Sequence, residues 1–356
     1  MSKTRILIVD DSKLVQEVLT AVLKSDDDLD VAGAADNGQQ AIEMVETLKP
    51  DLVTMDISMP VLDGLKAISN IMASNPVPIL VISDIQDSHV AFIALKRGAL
   101  EVLSKSDLQP EKSEELIRKI KLLSKVKVIR HIGGKLLDEA LKESNTSKEA
   151  DHGYDRVVAI ASSTGGPRAL ATILEDLPAD FPYPILIAQH IDQGFIEGLV
   201  DFTNSVCSLK VKRGEHGESI APGTVYISPA DRHMEINTRG KIVFVERETK
   251  DIYHPSCNRL LSSIGKVFKE KGVGIILTGM GDDGAKGITC IKEHGGITLA
   301  QDEESSIVYG MPRVAVESGN VDDVLPLNEI GSYLTRLVKN EGRPLKKPVK
   351  NIRRIH

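Results

Sequence analysis

The 356-residue sequence holds only three cysteines, Cys207, Cys257 and Cys290, with no CxxC spacing. An odd, scattered set excludes both a disulfide framework and a cysteine zinc site, and the three read as ordinary thiols. No run of about 18 uncharged apolar residues is present, so no membrane-spanning helix is expected. A surplus of positive charge is missing as well: 44 Lys and Arg against 51 Asp and Glu give a net charge of -7. Nucleic-acid binding needs a concentrated basic patch on the domain that performs it, and none is visible. The one basic cluster, Lys346, Lys347, Lys350, Arg353 and Arg354, reads as a solvated C-terminal tail over 341–356. The opening MSKTRILIVDD enters a strand-like run at once, without the segments of a signal peptide, and the expected location is cytoplasmic.

What is present is a soluble globular composition, 41% apolar and 27% charged, in a chain long enough for two domains at about 150 residues each. Apolar runs of strand length alternate with helical spacing from the start, which predicts βαβ units around parallel sheets. Strands are expected near 6–9, 31–34, 52–55, 79–82 and 101–103, forming one domain over 1–124. A polar, charged stretch over 125–153 then reads as a linker. From 154 to 340 a second α/β alternation follows, with strands near 157–160, 184–188, 224–227, 273–277 and 297–300. Residues 233–246 alternate apolar and polar around Thr238, Arg239 and Gly240, and predict a hairpin inserted into a mostly parallel sheet.

Ligands of open parallel sheets sit beyond the carboxyl ends of the strands, so the residues there are the ones to inspect. In the first domain these are Asp10, Asp11, Asp56, Ser83 and Lys105. A single aspartate in such a place is usually a turn residue or helix cap. Three converging carboxylates are different, because they repel one another unless a cation lies among them, and hard oxygen ligands suit magnesium. A carboxylate is also able to take a phosphoryl group, with the metal and Lys105 neutralising its oxygens, and Asp56 is the candidate acceptor.

In the second domain a strand runs straight into Ser162-Ser163-Thr164-Gly165-Gly166-Pro167, a backbone-rich loop before a helix N-terminus, suited to a negative charge. That loop fits neither GxxxxGK[ST] nor GxGxxG, which argues there for an oxyanion over a nucleotide. His190, at the end of the next strand, is placed to activate a loop serine. Asp282 or Asp283, in the glycine-rich turn of GVGIILTGMGDDGA, is placed to orient that imidazole. No GxSxG elbow is present and the chain order is Ser, His, Asp, so an ordinary α/β-hydrolase is not indicated.

The segments ILIVDDS, DLVTMDISMPVLDGL and ILVIS, with Lys105 after the fifth strand, resemble a bacterial response-regulator receiver of flavodoxin-like fold over the first 124 residues. That resemblance implies a histidine kinase as phosphodonor to Asp56, magnesium held by Asp11 and Asp56 with Asp10 assisting, and phosphoryl oxygens held by Ser83 and Lys105. Ser106 stands where receivers usually carry proline, which puts the usual cis peptide in question at a cost of about 3 kcal/mol. Val102 stands where many carry a switching aromatic. The blocks AIASSTGGP, IAQH, YISPADRHME, HPSC, GIILTGMGDDGA and TLAQDEESSIVYGMP resemble those of the chemotaxis protein-glutamate methylesterases, the CheB family, with coverage from residue 1 to about 338.

The second resemblance implies Ser163 as nucleophile, His190 as base and Asp283 as orienting acid. It further implies oxyanion contacts from the backbone around Met280 and Gly281, and help from Thr164 in positioning the histidine. Ala161, Asp282 and Asn258 depart from the usual glycine, asparagine and aspartate. The implied activity is demethylation of glutamate γ-methyl esters on chemoreceptor cytoplasmic helices, with glutamine deamidation beside it and no cofactor for the esterase step. A monomer is expected, in which the unmodified receiver covers the catalytic site.

Overall fold

The computed structural model describes residues 3–84, 88–128, 155–248 and 251–339. The tail expected over 341–356 lies outside these residues, as does the linker over 125–153 apart from its first four residues. Val126 and Val128, at the linker's start, pack against the apolar core.

The first sheet contains β1 (Thr4–Val9), β2 (Leu29–Ala35), β3 (Leu52–Met55), β4 (Ile79–Ser83) and β5 (Glu101–Ser104) in the order β2-β1-β3-β4-β5. All four pairings are parallel. Helices α1 (Lys13–Lys24), α2 (Gly38–Leu48), α3 (Gly64–Ser74), α4 (Ser88–Lys96) and α5 (Ser113–Leu123) lie between and after the strands. Because helices cover both faces, β3 and β4 are buried along their whole length, which is why their sequences are continuous apolar runs. Ser12, Asn37 and Asp63 start α1, α2 and α3 by accepting a hydrogen bond from a first-turn N–H.

The second domain contains β6 (Val157–Ser162), α6 (Gly166–Glu175), β7 (Ile185–Gln189), α7 (Ile196–Asn204), β8 (Lys210–Arg213), β9 (Thr224–Ile227), β10 (Arg232–Ile236) and β11 (Ile242–Glu246). It continues through α8 (Cys257–Phe268), β12 (Gly272–Ile276), α9 (Ala285–Glu293), β13 (Ile297–Gln301), α10 (Met311–Glu317), β14 (Asp323–Leu325) and α11 (Leu327–Val338). Its main sheet has the order β14-β13-β12-β6-β7-β9-β8, parallel throughout. The chain leaves β6 first toward β7 and later toward β12, so the strand order reverses at β6 and opens a crevice at its carboxyl end.

The hairpin forms, with β10 and β11 antiparallel, but as a two-stranded sheet of its own rather than within the main sheet. Its apolar face, including Met234 and Ile236, packs with the α8 core instead. Two edge strands, β8 and β14, were not expected. Lys210–Arg213 has exposed charged ends and a single buried residue, and β14 is three residues long, so neither carries an apolar run.

Candidate active site

Beyond β6 the chain turns sharply into α6, and side chains from neighbouring strands fasten the turn. Ser162 Oγ donates to Gln189 Oε1 at 2.6 Å, and Gln189 Nε2 donates to the carbonyls of Ser163 and His190 at 2.9 and 2.8 Å. Thr278 Oγ1 donates to the carbonyl of Thr164 at 2.9 Å, while Gln301 Oε1 accepts from Thr278 N–H at 2.8 Å. A Cβ on Gly166 would lie 1.9 Å from Gln189 Oε1, so the bolt requires glycine there. Ser162 is thus fully buried with its hydroxyl spent, whereas Ser163 Oγ makes no hydrogen bond among the described residues and its residue lines a cavity.

His190, at the end of β7, lines the same cavity. Its Nε2 lies 2.9 Å from Asp283 Oδ2, which leaves Nδ1 as the nitrogen available to a serine proton. Asp283 is buried and also accepts from the backbone N–H of Cys257 and Asn258 at 2.7 and 2.9 Å and from Ser256 Oγ at 3.3 Å. Burial opposes its charge, but the histidine and these N–H donors outweigh that and hold the carboxyl below the usual range. Asp282, one residue earlier, is exposed and instead accepts from Tyr253 Oη at 3.1 Å. Cys257 Sγ approaches His190 Nε2 at 3.5 Å, and burial pushes this thiol well up, so it stays protonated. A second cavity histidine, His254, is pushed down to about 4 by burial, with Arg247 and His190 adding to the effect, and stays neutral.

Met280 lines the cavity beside Ser163, and Gly281 has φ 90°, a left-handed backbone that favours glycine. A Cβ on Gly279 would meet Ser163 Cβ at 2.7 Å, which brings this turn against the serine. Thr164 does not contact the histidine by a hydrogen bond: its hydroxyl is buried without a partner among the described residues. Its backbone carbonyl, held by Thr278, is the part that shapes the loop.

The opposite wall of the cavity comes from the first domain, through Phe92, Glu101, Val102, Lys112 and Leu116 among others. Glu101, at the start of β5, reaches across and accepts from Gly165 N–H at 2.7 Å. Helix α6 has no side-chain cap of its own, so the carboxylate satisfies the N-cap amide beside the serine loop. Burial raises the pKa of Glu101, against the opposing pull of Lys119 and the Gly165 amide. Phe92 stacks on Phe202 at 5.6 Å and meets Phe195 edge-on at 6.3 Å, and Lys112 lies 3.8 Å from Asp192.

At the far end of the first sheet, one oxygen each of Asp10, Asp11 and Asp56 lie within 4.8 Å of one another. Such an all-carboxylate, oxygen-only set fits a hard divalent ion such as magnesium. Lys105 Nζ stands 3.0 Å from Asp56 and 3.1 Å from Asp10. Burial raises Asp56 to about 6, with Asp10 adding and Lys105 opposing, and Asp10 is raised for the same main reason. Burial works against the Lys105 charge, but Asp56 and Asp10 outweigh it and hold the amine above its usual range. Ser83 Oγ is buried without a partner among the described residues. The Lys105–Ser106 peptide is trans. In place of proline, Ser106 N–H donates to Ser104 Oγ at 3.1 Å and starts a short 3-10 turn over Lys105–Leu108.

Gln189, Thr278, Gln301, Glu101 and Tyr253 have roles that the sequence alone did not give. The available signal for two of them was that strands β7 and β13 both end in glutamine at the crevice.

Residues 158–334 match the CheB methylesterase family, and residues 6–121 match the response regulator receiver domain. The chain is 40% identical over 344 residues to protein-glutamate methylesterase/protein-glutamine glutaminase 3 of Paramagnetospirillum magneticum, covering 94% of this chain and 96% of that one. It is 41% identical over 338 residues to the corresponding protein 2 of Anaeromyxobacter dehalogenans, with 94% and 97% covered. Among solved structures it is similar to the CheB methylesterase catalytic domain of Thermotoga maritima, at 39% identity and a TM-score of 0.49, over 51% of this chain and 98% of that one.

Proposed function

The chain belongs to the CheB methylesterase family, with a receiver ahead of the catalytic domain, and from that premise we propose that it removes methyl groups from glutamate side chains of chemoreceptors and deamidates receptor glutamines. Ser163 is the nucleophile, His190 the base and Asp283 the acid that orients it, within a catalytic domain over 154–340 that follows a receiver over 1–124. The observation that carries this is the pairing of His190 with a buried, ionised Asp283 in the same cavity as the unbonded hydroxyl of Ser163.

Ser163 Oγ attacks the γ-carbonyl of the ester while His190 Nδ1 takes its proton. Backbone around Met280 and Gly281 faces the developing oxyanion. The imidazolium gives the proton to the departing methoxide oxygen as the C–O bond breaks, so that methanol leaves and an acyl-serine remains. A water molecule, deprotonated by the same nitrogen, then releases a glutamate carboxylate and restores the serine. With a glutamine substrate the leaving group is ammonia and the steps are otherwise alike. Asp283 holds Nε2 throughout, so the ring keeps one orientation.

The receiver regulates this chemistry by phosphorylation at Asp56, with a histidine kinase as donor and Ser83 and Lys105 holding the phosphoryl oxygens. Asp10, Asp11 and Asp56 would hold the magnesium ion, which supplies charge neutralisation when bound. The Glu101 contact and the receiver wall over the cavity support a covered, low-activity state before phosphorylation. Methanol release from methylated receptor membranes tests the assignment. Ser163→Ala is expected to lower it by at least about a thousandfold. Retention of full activity in that variant would overturn the Ser-His-Asp reading.

A further inference from the structure

Tyr253 has no part in the mechanism above, yet it touches both halves of the machinery. Its ring stacks on the His190 imidazole, with centroids 5.2 Å apart and planes 7° from parallel. Its hydroxyl donates to Asp282 at 3.1 Å. The same oxygen would stand 2.4 Å from a Cβ placed on Gly281, so it rests directly against the turn that follows Met280. One side chain therefore fills the space between the base and the backbone assigned to the oxyanion.

The segment that presents this ring is itself tied down. Asp251 Oδ2 lies 2.9 Å from Nε2 of the fully buried His233 and accepts from Glu248 N–H at 2.8 Å. The other nitrogen of His233 accepts from Ser256 N–H at 2.9 Å, and Ser256 Oγ reaches Asp283 at 3.3 Å. The segments YISPADRHME and HPSC thus meet in space: the hairpin histidine anchors both ends of the stretch that carries Tyr253. A side chain on a rigid element, packed flat on an imidazole, fixes the rotamer of that imidazole.

We propose that Tyr253 is a positioning residue for His190: stacked on the ring and anchored through Asp282 to the Gly281 turn, it holds the imidazole with Nε2 on Asp283 and Nδ1 toward Ser163. The inference rests on the Ser-His-Asp reading above. Its stacking face also lies against the positive charge that the imidazole carries between the two proton transfers, where an aromatic face is favourable. Burial and the neighbouring Asp282 charge raise the phenol, so the hydroxyl remains a donor.

The test uses the full-length protein and three variants, Tyr253→Phe, Tyr253→Ala and Ser163→Ala. Labelling of the serine by a fluorophosphonate is followed beside steady-state methanol release, with thermal unfolding as the check on folding. Tyr253→Ala is expected to lower both the labelling rate and kcat about 30-fold, with KM changed less than about twofold. Tyr253→Phe keeps the stack and is expected to recover both to within about threefold of the parent. A Tyr253→Ala enzyme with unchanged kcat, a loss confined to KM, or a Phe variant as damaged as the Ala variant would each overturn the positioning role. An active, fluorophosphonate-reactive Ser163→Ala protein would instead sink the nucleophile assignment itself, and the two failures are read from different variants.

Discussion

Ser162 and Ser163 are adjacent and chemically identical, but the fold gives their hydroxyls opposite environments. Ser162 Oγ is locked on Gln189, whereas Ser163 Oγ makes no hydrogen bond among the described residues and its residue lines the cavity that His190 also lines. Ser162→Ala removes a buried hydrogen bond and leaves Gln189 Oε1 unpaired, so it should destabilise the protein by about 1–3 kcal/mol, seen as a lower Tm, while activity survives in part. Ser163→Ala should leave Tm near that of the parent and abolish turnover. The aspartates divide in the same way. Asp283→Asn loses the ionised partner of Nε2 and is expected to lower kcat about 10³- to 10⁴-fold, whereas Asp282→Asn keeps an acceptor for Tyr253 and should stay within about threefold. At the phosphoacceptor the sign of a pH effect follows from burial. Asp56 is raised to about 6, so between about pH 4 and 6 the folded chain binds more protons than the unfolded one, and stability falls as pH rises through that window. In metal-free buffer Asp56→Asn should therefore be more stable than the parent by roughly 1–3 kcal/mol at pH 7, with the gap closing toward pH 4. Magnesium should narrow the pH 7 gap by stabilising the parent, and a gap independent of pH would contradict the assignment.

Strand β5 and helix α6 form one of the contacts through which the first domain reaches the second. Glu101 opens β5, Lys105 follows its end, and the short turn after it carries Ser106 and Asp107, with Lys112 beyond. Asp56 touches Lys105, while Ser106 and Lys112 face Asp192 of the catalytic domain at 3.4 and 3.8 Å. A change at Asp56 that draws Lys105 toward a phosphoryl group therefore acts on the strand that caps α6. Glu101→Ala should raise the activity of unphosphorylated enzyme about tenfold, the worth of about 1.4 kcal/mol, and leave the phosphorylated rate nearly unchanged. A fall in both rates would mean instead that the carboxylate supports the catalytic loop. At this scale the sequence was legible where burial dictates it. Strands such as Leu52–Met55 and Thr224–Ile227 are apolar because both faces are covered, and their positions followed from that run alone. The crevice residues Ser163, His190 and Asp283 were approachable for a related reason, since each follows a readable strand. Glu101 was not, because its partner amide lies 64 positions away and nothing local marks it. Tyr253 was hidden similarly, in a loop held by a buried histidine from the hairpin, far from it in sequence. The hairpin's own turn was legible, but its separation from the main sheet was not, because alternation fixes which face is apolar and not what covers it.

Across the whole molecule the receiver lies on the catalytic crevice through α4, β5 and α5. Phe92 fills the aromatic contact with Phe195 and Phe202, and Lys96 Nζ donates to Ser205 Oγ at 2.8 Å and stands over the Phe202 ring. Both domains add to one side-chain core there, so opening the crevice means undoing real apolar contact. Phe92→Ala is expected to weaken that docking by about 2–4 kcal/mol and to raise unphosphorylated methanol release toward that of a fragment cut within the linker. The central claim, a receiver-covered Ser163 activated by His190, is tested most directly by the rate and site of fluorophosphonate labelling of the intact protein, with and without acetyl phosphate and magnesium. A single adduct on Ser163, forming at least about tenfold faster after phosphorylation, is the expected result. An adduct on Ser162, or a rate on Ser163 indifferent to phosphorylation, would contradict it.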